Sequence, residues 1–240
     1  MKTLIENYRS FPGEHCGSTA MRGLLYHYCG IELPEAAVFG LGAGLDCVHL
    51  AAAGMDPAVV VFGRTVTLET DLGRAFGIDY REQPETDDAE AWELVRREVL
   101  AGRPTMLSGD IFDLDYREFK VHFPGHRFVL VGFDDERETA FIADRIRAEP
   151  EACSYAALFA SRNPPEGIST HNLWGPLSRD RADARPRRSG ALGHRPVQPA
   201  HAGPGGGGAG SVDRISRPAD HQRRGRHPQP RRIARGLGIA

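Results

Sequence analysis

Three side chains far apart in this 240-residue sequence could together do nucleophilic chemistry: Cys16, His126 and Asp144. Cys16 stands in Glu14-His15-Cys16-Gly17-Ser18, where a turn gives way to a helical pattern. Met21, Leu24, Leu25 and Tyr28 then fall at i, i+3, i+4 and i+7, one helix face, and Gly30 follows as a stop signal. A cysteine in the first turn of such a helix meets unpaired backbone N–H groups and the positive end of the helix dipole. Both favour the thiolate, which is the nucleophile. A small buried residue that happens to be cysteine would fit the same segment, so a partner base has to decide.

The base comes more than a hundred residues later, in HFPGHRFVLVGFDDERETAFIADRI. Pro124-Gly125 makes a turn, Arg127–Phe133 reads as an apolar strand, Asp134–Glu138 as a polar turn and Thr139–Asp144 as the returning strand. Taken as symmetric about Asp135, this hairpin puts His126 directly opposite Asp144. Opposed residues share a face with Cβ atoms about 4.5–5.5 Å apart. The carboxylate would then hold the imidazole in one tautomer and stabilise its charged form, which with Cys16 completes a nucleophile, a base and an orienting group. A register slip of one residue would put the two side chains on opposite faces.

Other residues compete for these roles. His15 and Gly17 flank the cysteine and are further site candidates. His122 is an alternative base, although it precedes the turn instead of starting the strand. Asp110 follows a strand end, a common place for site residues and equally for a structural turn aspartate. The pairs His15/Cys16, His27/Cys29 and Cys47/His49 raise zinc, but none has the CxxC spacing of structural sites, and no metal or cofactor is expected. Cys29 and Cys153 read as core thiols. The run GLGAG at 40–44 lacks the spacing and the preceding strand of a dinucleotide loop, and its glycines read as turns.

The elements that must position these residues follow from periodicity and breakers. Pro34 and Glu35 suit the first turn of a short helix. Leu45–Ala51 and Ala58–Phe62 look like strands, Thr67–Phe76 like a helix ended by Gly77, and Ile78–Arg81 like a short strand. Thr86-Asp87-Asp88 can cap a helix that buries Trp92, Val95 and Val99. Thr105–Leu107 is a short strand leading into Asp110. The His126 hairpin is apolar nearly throughout and should lie centrally in a sheet. A last helix is expected over Glu151–Ser161, before Asn163-Pro164-Pro165 closes the ordered part.

Charge divides the chain in two. Residues 1–175 hold 16 Lys+Arg against 28 Asp+Glu, whereas residues 176–240 hold 14 Arg against 4 Asp. The first part is long enough to bury roughly 70% of its unfolded surface in one core. The second is dominated by Arg, Pro, Gly and Ala, has no Phe, Tyr, Trp or Met, and should be a disordered basic tail. Its arginines could bind nucleic acid or anionic carriers electrostatically, but no aromatic residue interleaves them for base stacking, and a nucleic-acid partner is not expected. The same bias also looks like GC-rich DNA read in a shifted frame. No stretch is long and apolar enough for a signal or a span, and four cysteines make no disulfide scaffold, so a cytoplasmic protein with no membrane partner is expected.

Together HCGSTAMRGLLYHYCGIELPEAAVFGLGAGL, LSGDIFDLDYREFKVHFPGHRFVLVGFDDE and FIADRI resemble the N-terminal domain of the BtrH family of butirosin-biosynthesis acyltransferases. That family is similar in turn to the papain-like double-glycine leader peptidases. The resemblance spans about residues 5–172. It implies Cys16 as nucleophile, His126 as base and Asp144 as orienting residue. It further implies transfer of an acyl group from an acyl carrier protein thioester to a small-molecule amine acceptor. Peptidase relatives place a glutamine shortly before the cysteine to complete the oxyanion hole; this sequence has only Asn7, Glu14 and His15 there. The family also implies a further C-terminal domain where this chain has its tail, so that region is expected to be lost or frameshifted.

The reading is an α+β papain-like cysteine fold over 1–175, with helices on a mostly antiparallel sheet and a disordered Arg/Gly/Pro-rich tail over 176–240. Its function is acyl transfer through a Cys16 acyl-enzyme. A cysteine peptidase or amidase and a non-catalytic binding module are the alternatives.

Overall fold

The computed structural model describes residues 1–51, 59–120, 122–164 and 169–179. Helix α1, Cys16–Cys29, runs as its periodicity demands: Met21, Leu24 and Leu25 are fully buried. Truncating any one of them to alanine would cost about 2–5 kcal/mol. Gly30 ends the helix at φ 67°, a left-handed conformation that suits glycine, and its N–H caps the Tyr26 carbonyl. Helix α2, Glu35–Leu41, starts directly after Pro34.

Strand β1, Lys2–Leu4, opens the chain and has no strong sequence signal. A separate hairpin follows α2, made of β2, Leu45–Ala51, and β3, Val59–Arg64. Helix α3, Leu68–Ala75, then packs near α1 and leads into β4, Ile78–Tyr80. Helix α4, Asp88–Leu100, is capped by the Asp87 side chain, which accepts from the Glu90 N–H. Strand β5, Thr105–Gly109, β6, His126–Asp134, and β7, Thr139–Ala143, are the centre of the main sheet.

The chain after β7 differs from the sequence expectation. Glu151–Ser154 is not helix but an edge strand, β8, paired antiparallel to β7. Its burial alternates because Glu151 and Cys153 point inward, a period of two that the short apolar run concealed. Ser154 then caps helix α5, Tyr155–Arg162, by accepting from the Ala157 N–H. Nor does the fold close at Asn163-Pro164. Arg162 is fully buried and donates to the Asn172 carbonyl, which ties the following segment back to the core. Strand β9, Trp174–Gly175, pairs with β5, and β10, Leu177–Arg179, pairs with β4. Leu177 is buried, so folded chain continues past the boundary at 175. Residues 180–240, the rest of the tail, lie outside the described residues, as does Ala58 of the second expected strand.

The main sheet runs β8-β7-β6-β5-β9, with β1 on the far half of the β6 edge, and every described strand pair is antiparallel. One face carries Val129, Val131 and Ala143 against α1. The other carries Phe128, Leu130 and Phe133 with Val95 and Leu158 of α4 and α5. Leu130 and Phe133 share that face despite an odd separation because β6 is bulged between Leu130 and Gly132. Among the described residues, no helix is long and apolar enough to cross a membrane.

Candidate active site

His15 forms the N-cap of α1 in extended conformation, and its Nδ1 accepts the Ser18 N–H at 3.1 Å. Glu35, at the start of α2, reaches across to this turn. It accepts from the His15 N–H at 2.8 Å, the Glu14 N–H at 2.9 Å and the Ser18 hydroxyl at 2.8 Å. The sequence suggested only that Glu35 suits the dipole of its own helix; it also braces the start of α1. That turn presents Cys16, half-buried, over the end of the sheet where β6 begins.

His126 opens β6, and its Nε2 lies 3.1 Å from the Asp144 carboxylate. The two do not face each other as a symmetric hairpin would have it. The observed register pairs Val129 with Ala143, so Asp144 comes level with Phe128, two residues along from His126 on the same face. The bulge makes this possible. Near the turn Asp134 pairs with Thr139, a register that, continued unbroken, would set Asp144 level with Val129 on the opposite face. One extra residue at the bulge restores the parity that brings imidazole and carboxylate together.

Asp144 is held by more than the histidine. Its Oδ1 accepts the Arg145 N–H at 2.6 Å, and its Oδ2 accepts the Tyr116 hydroxyl at 3.0 Å and Arg117 Nη1 at 3.4 Å. Arg117 in turn pairs with Glu151 on β8. Burial would push the Asp144 carboxyl up, but His126, Arg145 and Arg117 outweigh it and hold its pKa below the ordinary value. Tyr116, Arg117 and Glu151 carried no sequence signal, because each contact spans 27 to 34 residues of chain.

Cys16 engages the His126 ring through a side-chain hydrogen bond and charge. With Nε2 given to Asp144, Nδ1 is the ring nitrogen left to face the thiol. Burial opposes ionisation of the thiol, yet His126, the Arg127 N–H and the Arg64 guanidinium together bring its pKa below the ordinary value. Burial likewise works against a charged His126. The Asp144 and Cys16 contacts prevail and raise its pKa from 6.5 to about 9. The lowered thiol and the raised imidazole both favour a thiolate beside an imidazolium, the form that attacks a carbonyl carbon.

A buried charge cluster backs the cysteine from the other side. Arg64, at the end of β3, makes two hydrogen bonds to Glu69 of α3, at 2.8 and 3.0 Å, and Glu69 is 1% exposed. Arg127 lies 3.7 Å from the same carboxylate and donates to Glu82 at 2.6 Å. This cluster fixes the role of Gly17. A Cβ there would stand 2.4 Å from Glu69 Oε1 and 2.6 Å from Arg64 Nη1. Gly17 lets the ion pair rest on the first turn of α1.

Asp110 and His122 form a second pair. His122 Nδ1 is 3.0 Å from Asp110 Oδ2, while Asp110 Oδ1 accepts the N–H groups of Phe112 and Phe123. Asp110 thus stitches its loop, and no contact joins this pair to Cys16 among the described residues. Two of the other thiols are set differently. Cys153 is buried, and burial and Asp115 push its pKa up, while Cys47 is exposed on the separate hairpin. Among the described residues no group of three His, Cys, Asp or Glu side chains is placed to hold a metal.

A cysteine at the start of a helix, with histidine and acid presented by the adjoining antiparallel sheet, is the papain-like arrangement. The family described as Butirosin biosynthesis protein H, N-terminal, matches residues 15–145, more than half of the chain and all three residues of the relay. The chain belongs to this family. As a member of the butirosin biosynthesis protein H N-terminal family it has a papain-like α+β fold with a cysteine at the start of α1. No curated protein sequence matches the chain. Solved structures similar to it include the peptidase domain of Streptococcus ComA, a bi-functional ABC transporter involved in a quorum sensing pathway. That match has a TM-score of 0.48 and 14% identity over 72% of this chain and 100% of that one. A putative C39-like peptidase from Bacillus anthracis matches with a TM-score of 0.46 and 14% identity, over 75% of this chain and 99% of that one.

Proposed function

We propose that the protein transfers acyl groups from an acyl carrier protein thioester to a small-molecule amine through an acyl-enzyme on Cys16. The observation that carries this reading is the grouping of Cys16, His126 and Asp144, in which the thiol is shifted toward its thiolate and the imidazole toward its charged form. The Cys16 sulfur adds to the thioester carbonyl carbon, and the carbonyl π electrons move to oxygen. Collapse re-forms the carbonyl and breaks the bond to the donor sulfur, which leaves with the proton of the His126 imidazolium. His126, now neutral, takes a proton from the incoming amine, whose nitrogen attacks the acyl-enzyme. The second collapse breaks the carbon–sulfur bond and returns Cys16 as thiolate beside imidazolium. Asp144 holds the ring and its charge throughout and is not itself protonated.

Transfer is favoured over proteolysis by the leaving group. A thiolate departs readily from a thioester, whereas a peptide amine must be protonated and demands stronger oxyanion stabilisation. The glutamine of the peptidase relatives is missing. The Asn7 backbone meets His27, in the last turn of α1 and not at its start.

The test offers an acyl-carrier thioester to the full chain and reads intact mass. The expected result is one acyl adduct on Cys16, absent in Cys16→Ala and discharged by added amine. Discharge to water with no dependence on amine would make the protein a hydrolase. No adduct from a range of thioesters would sink the enzymatic reading in favour of a binding module.

A further inference from the structure

We infer that the Nε2–H of His15 is the second donor to the oxyanion formed at Cys16. The inference rests on the Cys16 acyl-enzyme reading and adds to it a residue that touches the reacting atoms. Addition of the thiolate leaves a negative oxygen on the attacked carbon. The Cys16 N–H at the start of α1 can meet one side of it, and a second donor is needed for strong stabilisation.

The cap determines the tautomer of His15. Its Nδ1 receives the Ser18 N–H at 3.1 Å. A backbone N–H can only donate, so Nδ1 carries no proton and the neutral ring holds its proton on Nε2. The Ser18 hydroxyl, 3.0 Å from the same Nδ1, does not compete for it. That hydroxyl has one proton, and it lies 2.8 Å from the Glu35 carboxylate. Burial, with the Arg64 guanidinium next, keeps the ring from charging, against the weaker pull of Glu69 and Glu35.

The ring is also held still, as an oxyanion donor must be. The edge-to-face contact with Phe39 fixes it on one side, at 5.1 Å and 81° between ring planes. Its Cε1, bonded to Nε2, lies against Gly17, where a Cβ would be 3.2 Å away. Glu35 anchors the His15 backbone. The hydrogen bonds of His15 leave Nε2 uncommitted among the described residues, and the ring is half-buried, so a fixed N–H is left for a ligand at the first turn of α1. Neighbouring groups are already committed or unsuited. Arg64 spends both terminal nitrogens on Glu69, and Glu14 is an exposed carboxylate that can only accept.

Asparagine at position 15 separates the two jobs of this residue. Its side-chain oxygen keeps the cap, and its amide N–H, on a shorter stem, does not reach where Nε2 stands; serine keeps the cap with no side-chain N–H at all. The experiment follows acylation of the full chain by the acetyl thioester of N-acetylcysteamine, and in parallel its alkylation by iodoacetamide across pH. Alkylation forms no oxyanion and so reports the thiolate alone. In His15→Asn, acylation should slow by about 10²–10³-fold while the alkylation profile stays as in the wild type. His15→Ser, a second capping residue, should behave alike and guards against a folding defect in one variant. Wild-type acylation in both variants, or an equal fall in acylation and alkylation, would overturn the inference. A wild type that acylates while His15→Asn keeps pace removes only the role of His15; a wild type that never acylates removes the Cys16 reading and this one with it.

Discussion

Two histidines four residues apart in this sequence each face an aspartate, and by distance alone the two pairs are the same. His126 and Asp144 are 3.1 Å apart, His122 and Asp110 3.0 Å. Their surroundings differ. The first pair is 2% and 0% exposed, its carboxylate accepts further hydrogen bonds from Tyr116, Arg117 and the Arg145 N–H, and its imidazole meets a cysteine. In the second the histidine is 68% exposed and stacks on Phe112, and the aspartate spends its other oxygen on two loop N–H groups. A His–Asp contact becomes a relay only where water is excluded and a third group takes the other ring nitrogen. Elsewhere it is a loop fastening.

The largest test of this contrast is Asp144→Asn against Asp110→Asn. The first should lower acylation by about 10²–10⁴-fold with the fold intact, since the amide leaves His126 in the wrong tautomer. The second should leave acylation nearly unchanged and lower stability by about 1–3 kcal/mol, read by urea unfolding. The reverse order of activities would show that the two pairs have been assigned the wrong way round. Next comes Gly17→Ala, whose new methyl must push aside the Arg64–Glu69 pair. Because Arg64 favours the Cys16 thiolate, alkylation at neutral pH should slow and its midpoint move to higher pH. An unmoved midpoint would show that the charge cluster does not reach the thiol.

A smaller effect lies in the pH dependence of stability. His126 is raised from 6.5 to about 9, so its contribution is complete below 6.5 and lost as pH rises through about 9. Cys16 is lowered, so its contribution is present above the unfolded thiol value of about 8.5 and lost as pH falls through the folded one. Between about 6.5 and 8.5 the falling histidine contribution and the rising cysteine contribution oppose each other, and the net dependence flattens. The Tm advantage of wild type over Cys16→Ser should therefore peak in that window and fall on either side. An advantage that rises steadily with pH would mean the pair is not ionic. Last, His122→Ala should change neither acylation nor the alkylation profile, because its ring faces solvent; a loss in both would merge the two pairs into one site.

The local signals were legible because they need no long-range information. The periodicity after Cys16, the stop at Gly30, the caps at Asp87 and the strands flanking Asp135 each follow from side-chain shape and backbone preference within a few residues. They were enough to name Cys16, His126 and Asp144. Glu151–Ser154 was misread as helix for the same reason: four residues cannot declare their period, and only pairing with β7 made them a strand. Tertiary structure alone decided how the named residues meet. The hairpin is not symmetric, and the bulge after Leu130, whose cost is a disrupted ladder, turns a register that would have parted His126 from Asp144 into one that joins them. The partners that hold Asp144, the ion pair that rests on Gly17 and the Glu35 brace under His15 likewise come from distant segments. Electrostatic selection among side chains acts through space, and sequence order does not record which distant charges the fold will place in contact.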